Sequence, residues 1–311
     1  MNEFRVKQKL MGSSFELLVV AENKEKANKL LQMGIEEIKR LENLLSEFNP
    51  DSYTSRINSN AGKKAVIVEN EIFRLLERCK RISTISEGSF DITVGPLKKL
   101  YNFKNSILRI PEKKTIQHTL RKIGYHNIEL SSDDFSVYLA KMGMYISFAA
   151  IGKGYAADCV KKIWQKEGVK SGYINASGDL TAFGTKPDGS LWKMGITNPD
   201  NTKEILFYIP VSFASVATSG DYEQYFIYNG KRYSHNINPK TGLPLQGIKS
   251  VSVISPSAEL SDALATAVSV MGRERGIDFI NQLPNTHCVF ITEDNQTFFS
   301  QKLDLQYENQ N

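Results

Sequence analysis

Between Ala27 and Leu45 the apolar residues Ala27, Leu30, Leu31, Ile35, Ile38, Leu41 and Leu45 recur at steps of three and four, with Lys and Glu between them. That spacing traces one face of a 3.6-residue repeat, so residues 23 to 47 are predicted to form a long amphipathic helix. Such a stripe needs other apolar surface to cover it. Phe15-Glu-Leu-Leu-Val-Val, just upstream, reads as a strand. A second helix, from about Glu69 to Glu87, carries Ile72, Leu75, Leu76, Cys79 and Ile82, and Gly88 closes it. Further helices are expected at about 151–167, 259–271 and 273–282. Short strands with Gly and Pro turns fill 171–216, and strands follow at Ile248–Ile254 and Cys288–Ile291. Residues 55–62 read as a loop, 88–97 as a loop with a buried-looking centre, and 102–145 as a poorly ordered or strand-rich excursion. The strands fall in antiparallel-looking groups rather than a strict βαβ alternation. The expected class is therefore α+β, with mixed or antiparallel sheets and flanking helices.

Composition narrows the function. Apolar residues make up 41% and charged residues 23% of the 311, enough for a large core. The net charge of +5 is mild, and no dense Lys/Arg cluster alternates with aromatics, which argues against nucleic acid as a partner. Cys79, Cys159 and Cys288 are far apart, without zinc or redox spacing. The N-terminus lacks the apolar segment of a signal peptide, and no run approaches 18 apolar residues. A cytoplasmic location and no transmembrane segment are expected, although a trimmed chain would read the same way.

The densest polar chemistry lies between Thr218 and Pro244, where Thr218, Ser219, Asp221, Tyr222, His235, Asn238 and Thr241 fall close together. Asn229-Gly230 between two aromatic-rich runs predicts a hairpin whose second arm delivers His235. Two other stretches bear on chemistry. Gly152-Lys153-Gly154 fails the nucleotide-triphosphate loop pattern, since Ser147 stands at the first glycine and Gly154 at the hydroxyl position. It remains open to two readings, a plain glycine-rich helix entry or a backbone cradle for a diphosphate. Asp262 and Thr266, four apart, share one helix face. They fit an acidic helix start with Thr266 turned to the core, or oxygen ligands for a hard cation such as Mg²⁺. Asn175 and Gly178-Asp179 read as a β-turn.

Taken in order, these stretches resemble the ApbE family of flavin transferases. The resemblance runs through Met11-Gly-Ser-Ser-Phe, Ser46-Glu-Phe-Asn-Pro-Asp-Ser, Gly88-Ser-Phe-Asp-Ile-Thr-Val-Gly-Pro-Leu and Ala150-Ile-Gly-Lys-Gly-Tyr-Ala-Ala-Asp. It continues through Asn175-Ala-Ser-Gly-Asp-Leu, Ala217-Thr-Ser-Gly-Asp-Tyr, Ser234-His-Asn-Ile-Asn-Pro-Lys-Thr-Gly-Leu-Pro and Ser261-Asp-Ala-Leu-Ala-Thr-Ala. It implies an ApbE-like domain over 1–311, with two intertwined subdomains around a central FAD cleft as a variant. The implied reaction attaches FMN from FAD to a Thr or Ser hydroxyl of a partner flavoprotein and releases AMP. By resemblance, Ala150, Asp262 and Thr266 hold Mg²⁺, Lys153 faces the diphosphate, and His235 is the acid/base group. Met11, Phe48, Ser89, Phe90, Asp91, Ser147, Thr218, Asp221 and Asn236 are the implied FAD-binding residues.

The chain departs from the family pattern at several positions. Phe48 stands where tyrosine is more usual. Ser147-Phe148-Ala149 replaces an acidic Asp-Leu-Gly type segment, and Asn238 replaces a second acid. These changes keep open a FAD pyrophosphatase giving FMN and AMP, or a non-catalytic FAD-binding protein.

Overall fold

A computed structural model describes residues 1–101, 110–220, 225–228 and 231–303. Strands β1 (Asn2–Leu10) and β2 (Ser13–Ala21) form a hairpin joined by Met11-Gly12, at φ 49° and 74°. Two left-handed residues in a row make the two-residue turn whose twist matches that of the strands. β1 carries no element signal of its own beyond period two. Arg5, Lys7 and Lys9 are exposed and alternate with the half-buried Phe4, Val6 and Gln8, which suits a charged sheet edge.

Helix α1 (Lys24–Leu45) follows, its N-terminus capped by Asn23, which accepts the Lys26 N–H. Then come α2 (Tyr53–Ser59), β3 (Val66–Ile67), α3 (Asn70–Ile85), α4 (Gly95–Tyr101), α5 (Lys113–Leu120), β4 (Ile128–Ser131) and β5 (Ser136–Leu139). Three expectations change here. Residues 53–59 are helical rather than loop, because Ser52 caps the turn and Thr54 and Ile57 are buried. The 88–97 loop gives way to α4 at Gly95-Pro96, where proline suits a first turn. Within 102–145, α5 is an ordered helix too short to show a period, beside the β4–β5 hairpin; residues 102–109 lie outside the described residues.

The rest of the chain supplies α6 (Gly152–Lys166), β6 (Gly172–Ala176), β7 (Asp179–Phe183), β8 (Lys193–Asn198), β9 (Asn201–Pro210), β10 (Ser215–Gly220), β11 (Tyr225–Tyr228), β12 (Lys231–Ser234), β13 (Ile248–Ser255), α7 (Ala258–Met271), α8 (Arg273–Asn281), β14 (His287–Thr292) and β15 (Thr297–Phe299). Eight strands form one sheet in the order β1-β2-β6-β7-β10-β13-β14-β15, antiparallel at every step. Strands β11 and β12 pair as predicted, while Asn229-Gly230 lies outside the described residues.

Both faces of the sheet are covered, which explains the unbroken apolar run in β2. Phe15, Leu17 and Val19 face a core shared with α1, α6 and α7, whereas Leu18 faces a second cluster with Trp192, Phe207 and Ile209 from the β8–β9 side. A third cluster joins Leu97 and Tyr101 of α4, Ile116 of α5 and Ile237. Tyr101 Oη donates to the Gly242 carbonyl at 2.6 Å, which ties the loop after β12 to α4. No helix among the described residues is long and apolar enough to cross a membrane.

Candidate active site

The site begins where α6 and α7 touch. At Gly154 an added Cβ would sit 2.2 Å from the Ala258 carbonyl oxygen, so only glycine allows this approach. Asp158, one turn further along α6, accepts hydrogen bonds from Ser257 Oγ and from the Ala258 and Glu259 N–H groups, capping α7 from outside. On the sheet side, Ser261 Oγ bonds Ser255 Oγ and the Ser215 carbonyl. So anchored, α7 places the Asp262 carboxylate against the start of α6, where its Oδ2 accepts the Gly154 N–H at 3.2 Å. That N–H is therefore engaged within the protein rather than open to an anion.

Asp262 is buried, and burial pushes its pKa up to about 7; Lys153 pulls it down and Asp179 pushes it further up. Asp179 has the sequence surroundings of a plain β-turn. It starts β7 after the Ser177-Gly178 turn, forms an ion pair with Lys153, and accepts the Thr218 N–H at 3.1 Å. Thr218 Oγ1 lies 2.8 Å from Ser252 Oγ. The four residues Lys153, Asp179, Thr218 and Asp262 thus lock α6, β7, β10 and α7 together at one point.

A cavity of about 340 Å³ opens there, lined by Ala150, Lys153, Thr218, Ser219, His235, Asn236, Asp262 and Thr266, and also by Lys98. Asn236 Nδ2 donates to Ser219 Oγ at 2.9 Å and its carbonyl accepts the Leu245 N–H, while the Ser234 N–H donates to the Leu245 carbonyl, so both neighbours of His235 are held. Ile237, buried against Leu97 and Ile116, pins the same loop. A second cavity, of about 490 Å³, adjoins the first through Ser13, Ala149 and Lys153. Its walls include Met11, Phe48, Ser147 and Phe148.

Ser89, Phe90 and Asp91 join neither cavity. Phe90 is 1% exposed inside the main core. The Asp91 carboxylate accepts from Thr93 N and Oγ1 and from Tyr125 N, and burial raises its pKa despite those bonds. The segment organises the α3–α4 connection, and its buried-looking centre packs into the main core rather than the cleft. Asn238 also stays outside the cavities. Its Oδ1 accepts from Lys240 N and Thr241 N, so it closes a turn, a task an aspartate would perform equally. Asp221 lies outside the described residues.

Asp262, Thr266 and Ala150 offer a carboxylate, a hydroxyl and a backbone carbonyl, the hard oxygen donors that suit Mg²⁺. A desolvated carboxylate with a raised pKa is the kind of group a cation would satisfy. Elsewhere, Glu37, Glu71 and Cys159 lie close together. There, however, Arg40 donates to both glutamates and Tyr155 donates to Glu71, and burial pushes the Cys159 thiol up to about 11. That cluster is an ion-pair network between α1, α3 and α6.

A family model described as the ApbE family matches residues 11–290. The chain belongs to the ApbE family. A curated relative from Klebsiella pneumoniae, named FAD:protein FMN transferase, is 29% identical over 300 residues, covering 96% of this chain and 92% of its own. The ApbE protein of Thermotoga maritima superposes with a TM-score of 0.88 at 29% identity, covering 96% of this chain and 97% of its own. The apo flavinyl transferase ApbE of Pseudomonas stutzeri gives 0.86 at 26% identity, covering 96% and 95%. The antiparallel sheets with flanking helices described above are thus the ApbE fold, and the paired cavities lie within the matched span.

Proposed function

We propose that this protein is an FAD:protein FMN transferase that moves FMN from FAD to a Thr or Ser hydroxyl of a partner flavoprotein in a Mg²⁺-dependent reaction. One observation carries the reading. Oxygen donors for a hard cation, a lysine and an imidazole line one cavity, and a ring-sized cavity with Met11 and Phe48 at its mouth adjoins it. A dinucleotide flavin has this bipartite shape, with flat rings joined by a diphosphate. The names of the relatives support the same activity.

Phosphoryl transfer relies on positioning and charge neutralisation more than on covalent help from the protein. Asp262, Thr266 and the Ala150 carbonyl are the residues that would hold Mg²⁺, which when bound neutralises diphosphate charge and polarises phosphoryl oxygens. Lys153, at the junction of the two cavities, orients the diphosphate while paired with Asp179. The acceptor hydroxyl oxygen forms the new bond to the FMN phosphorus as the bond to the bridging oxygen breaks. AMP leaves with that oxygen and its electron pair, and His235 takes the hydroxyl proton. Imidazole suits this step because it titrates near neutrality. Ser147, in place of an acid, leaves the ring-side wall uncharged at that point.

The test is incubation of the purified protein with FAD, Mg²⁺ and an acceptor flavoprotein, followed by mass measurement. AMP together with an acceptor heavier by the FMN moiety is expected. AMP with free FMN would replace transfer by hydrolysis, and intact bound FAD would overturn both.

A further inference from the structure

The cavity that holds Asp262 and His235 contains a second lysine, which no motif marks. Lys98 lies in α4 between Leu97, fully buried under Ile237, and Lys99, which stacks over the Tyr145 ring at 3.5 Å. The packing of Leu97 and Tyr101 against the loop after His235 turns the intervening position into the cavity beside Ala150, Asp262 and Thr266. Lys153, the other lysine of this wall, is ion-paired with Asp179. Among the described residues the Lys98 side chain makes no hydrogen bond or ion pair, and Glu47 and Asp262 act on it only as charges at longer range. A cation held in a partly desolvated cleft without a counter-ion favours an anionic ligand.

The charges of the site point the same way. Asp179, Asp262 and a doubly charged diphosphate leave one negative charge over once Lys153 and a divalent cation are counted. Lys98 cancels it. We propose that Lys98 is a second phosphate-binding cation of this cleft, donating to diphosphate oxygens and selecting flavins that carry a diphosphate. The proposal rests on the FAD-binding reading above and adds a residue to it. Lys98 supplies a point charge without a counter-ion beside the Asp262 end, whereas Lys153 is paired with Asp179.

The test uses FAD and ADP as probes, with dissociation constants measured in Mg²⁺ for the wild-type protein, Lys98→Met and Lys98→Arg. Loss of one charge-assisted hydrogen bond predicts about tenfold weaker FAD and ADP binding in Lys98→Met. Its salt dependence should be flatter, because one screened attraction is gone. Lys98→Arg should stay within about threefold of wild type, since the charge is kept. Unchanged FAD affinity in Lys98→Met, or an equal loss in Lys98→Arg, overturns the role of Lys98 alone. Wild-type protein that binds neither probe overturns the FAD-binding reading as well.

Discussion

At the Asp262 end of the cleft the charged side chains Asp262 and Lys153 sit on two packed helices, while at the Phe48 end Phe48 and Met11 sit on turns. Asp262 is 7% exposed and tied to Gly154, and Lys153 is fixed by Asp179. Phe48 is 85% exposed, held out by Ser46, whose Oγ accepts the Phe48 and Asn49 N–H groups. Met11 reaches the cavity from a two-residue turn. Charged groups must be placed accurately and out of water, because their interactions weaken steeply with distance and hydration. A flat ring gains from contact area that tolerates small displacements. The two ends should therefore respond differently to substitution.

The largest effect is expected at Asp262. Asp262→Ala should lower Mg²⁺-dependent AMP release by at least about a thousandfold, since it removes the one carboxylate of the donor set; near-full turnover would remove Asp262 from the metal site. The same burial has a cost in the metal-free protein. The folded pKa of about 7 lies above the ordinary carboxylate value near 4, so the proton favours the folded state. That stabilisation is complete below about pH 4 and is lost as pH rises to about 7. Metal-free Asp262→Asn should consequently melt above wild type at pH 8, by on the order of 5 °C, and the gap should close toward pH 4. A pH-independent gap would mean that burial of charge is not what Asp262 adds.

His235 tests the same end through rate rather than metal. His235→Ala should slow transfer by about 10² to 10⁴-fold, the usual range for one proton-transfer group, with FAD affinity changed by less than about threefold. A large loss of FAD binding with intact turnover at saturation would reassign His235 from proton transfer to ligand positioning.

The contrast also explains what could be read from the chain beforehand. Asp262 and Thr266 were legible because four-residue spacing puts both on one helix face whatever the fold. Lys153 and His235 stood inside motifs. Asp179 looked like an ordinary turn residue, since its partners, Lys153 and the Thr218 N–H, come from distant elements. Lys98 is similar: only the docking of α4 on Ile237 turns it into the cleft. Phe90 runs in the opposite direction: the resemblance places it at FAD, whereas the buried-looking centre of its loop packs into the core. The long helices were predicted to within a few residues because their apolar stripes repeat for several turns. Strand β1 and helices α2, α4 and α5 were missed because charged edges and one- or two-turn helices carry too little periodicity.

The smallest effect is expected at Phe48, and it is the sharpest test of the comparison. Its ring is exposed without ligand, so truncation leaves no internal cavity and should change the melting temperature little. If the ring packs on a flat face of FAD, Phe48→Ala loses one aromatic contact, about 0.5–1.5 kcal/mol, or roughly threefold to tenfold in FAD affinity. Turnover at saturating FAD should stay within about twofold, because the proposed phosphoryl transfer takes place at the other end of the cleft. Phe48→Tyr should match or slightly exceed wild-type affinity, as the ring is kept and its edge faces water. A fall in saturating turnover as large as that of His235→Ala would show that the exposed end also sets the phosphoryl geometry, and the division between a rigid charged end and an adaptable ring end would not hold.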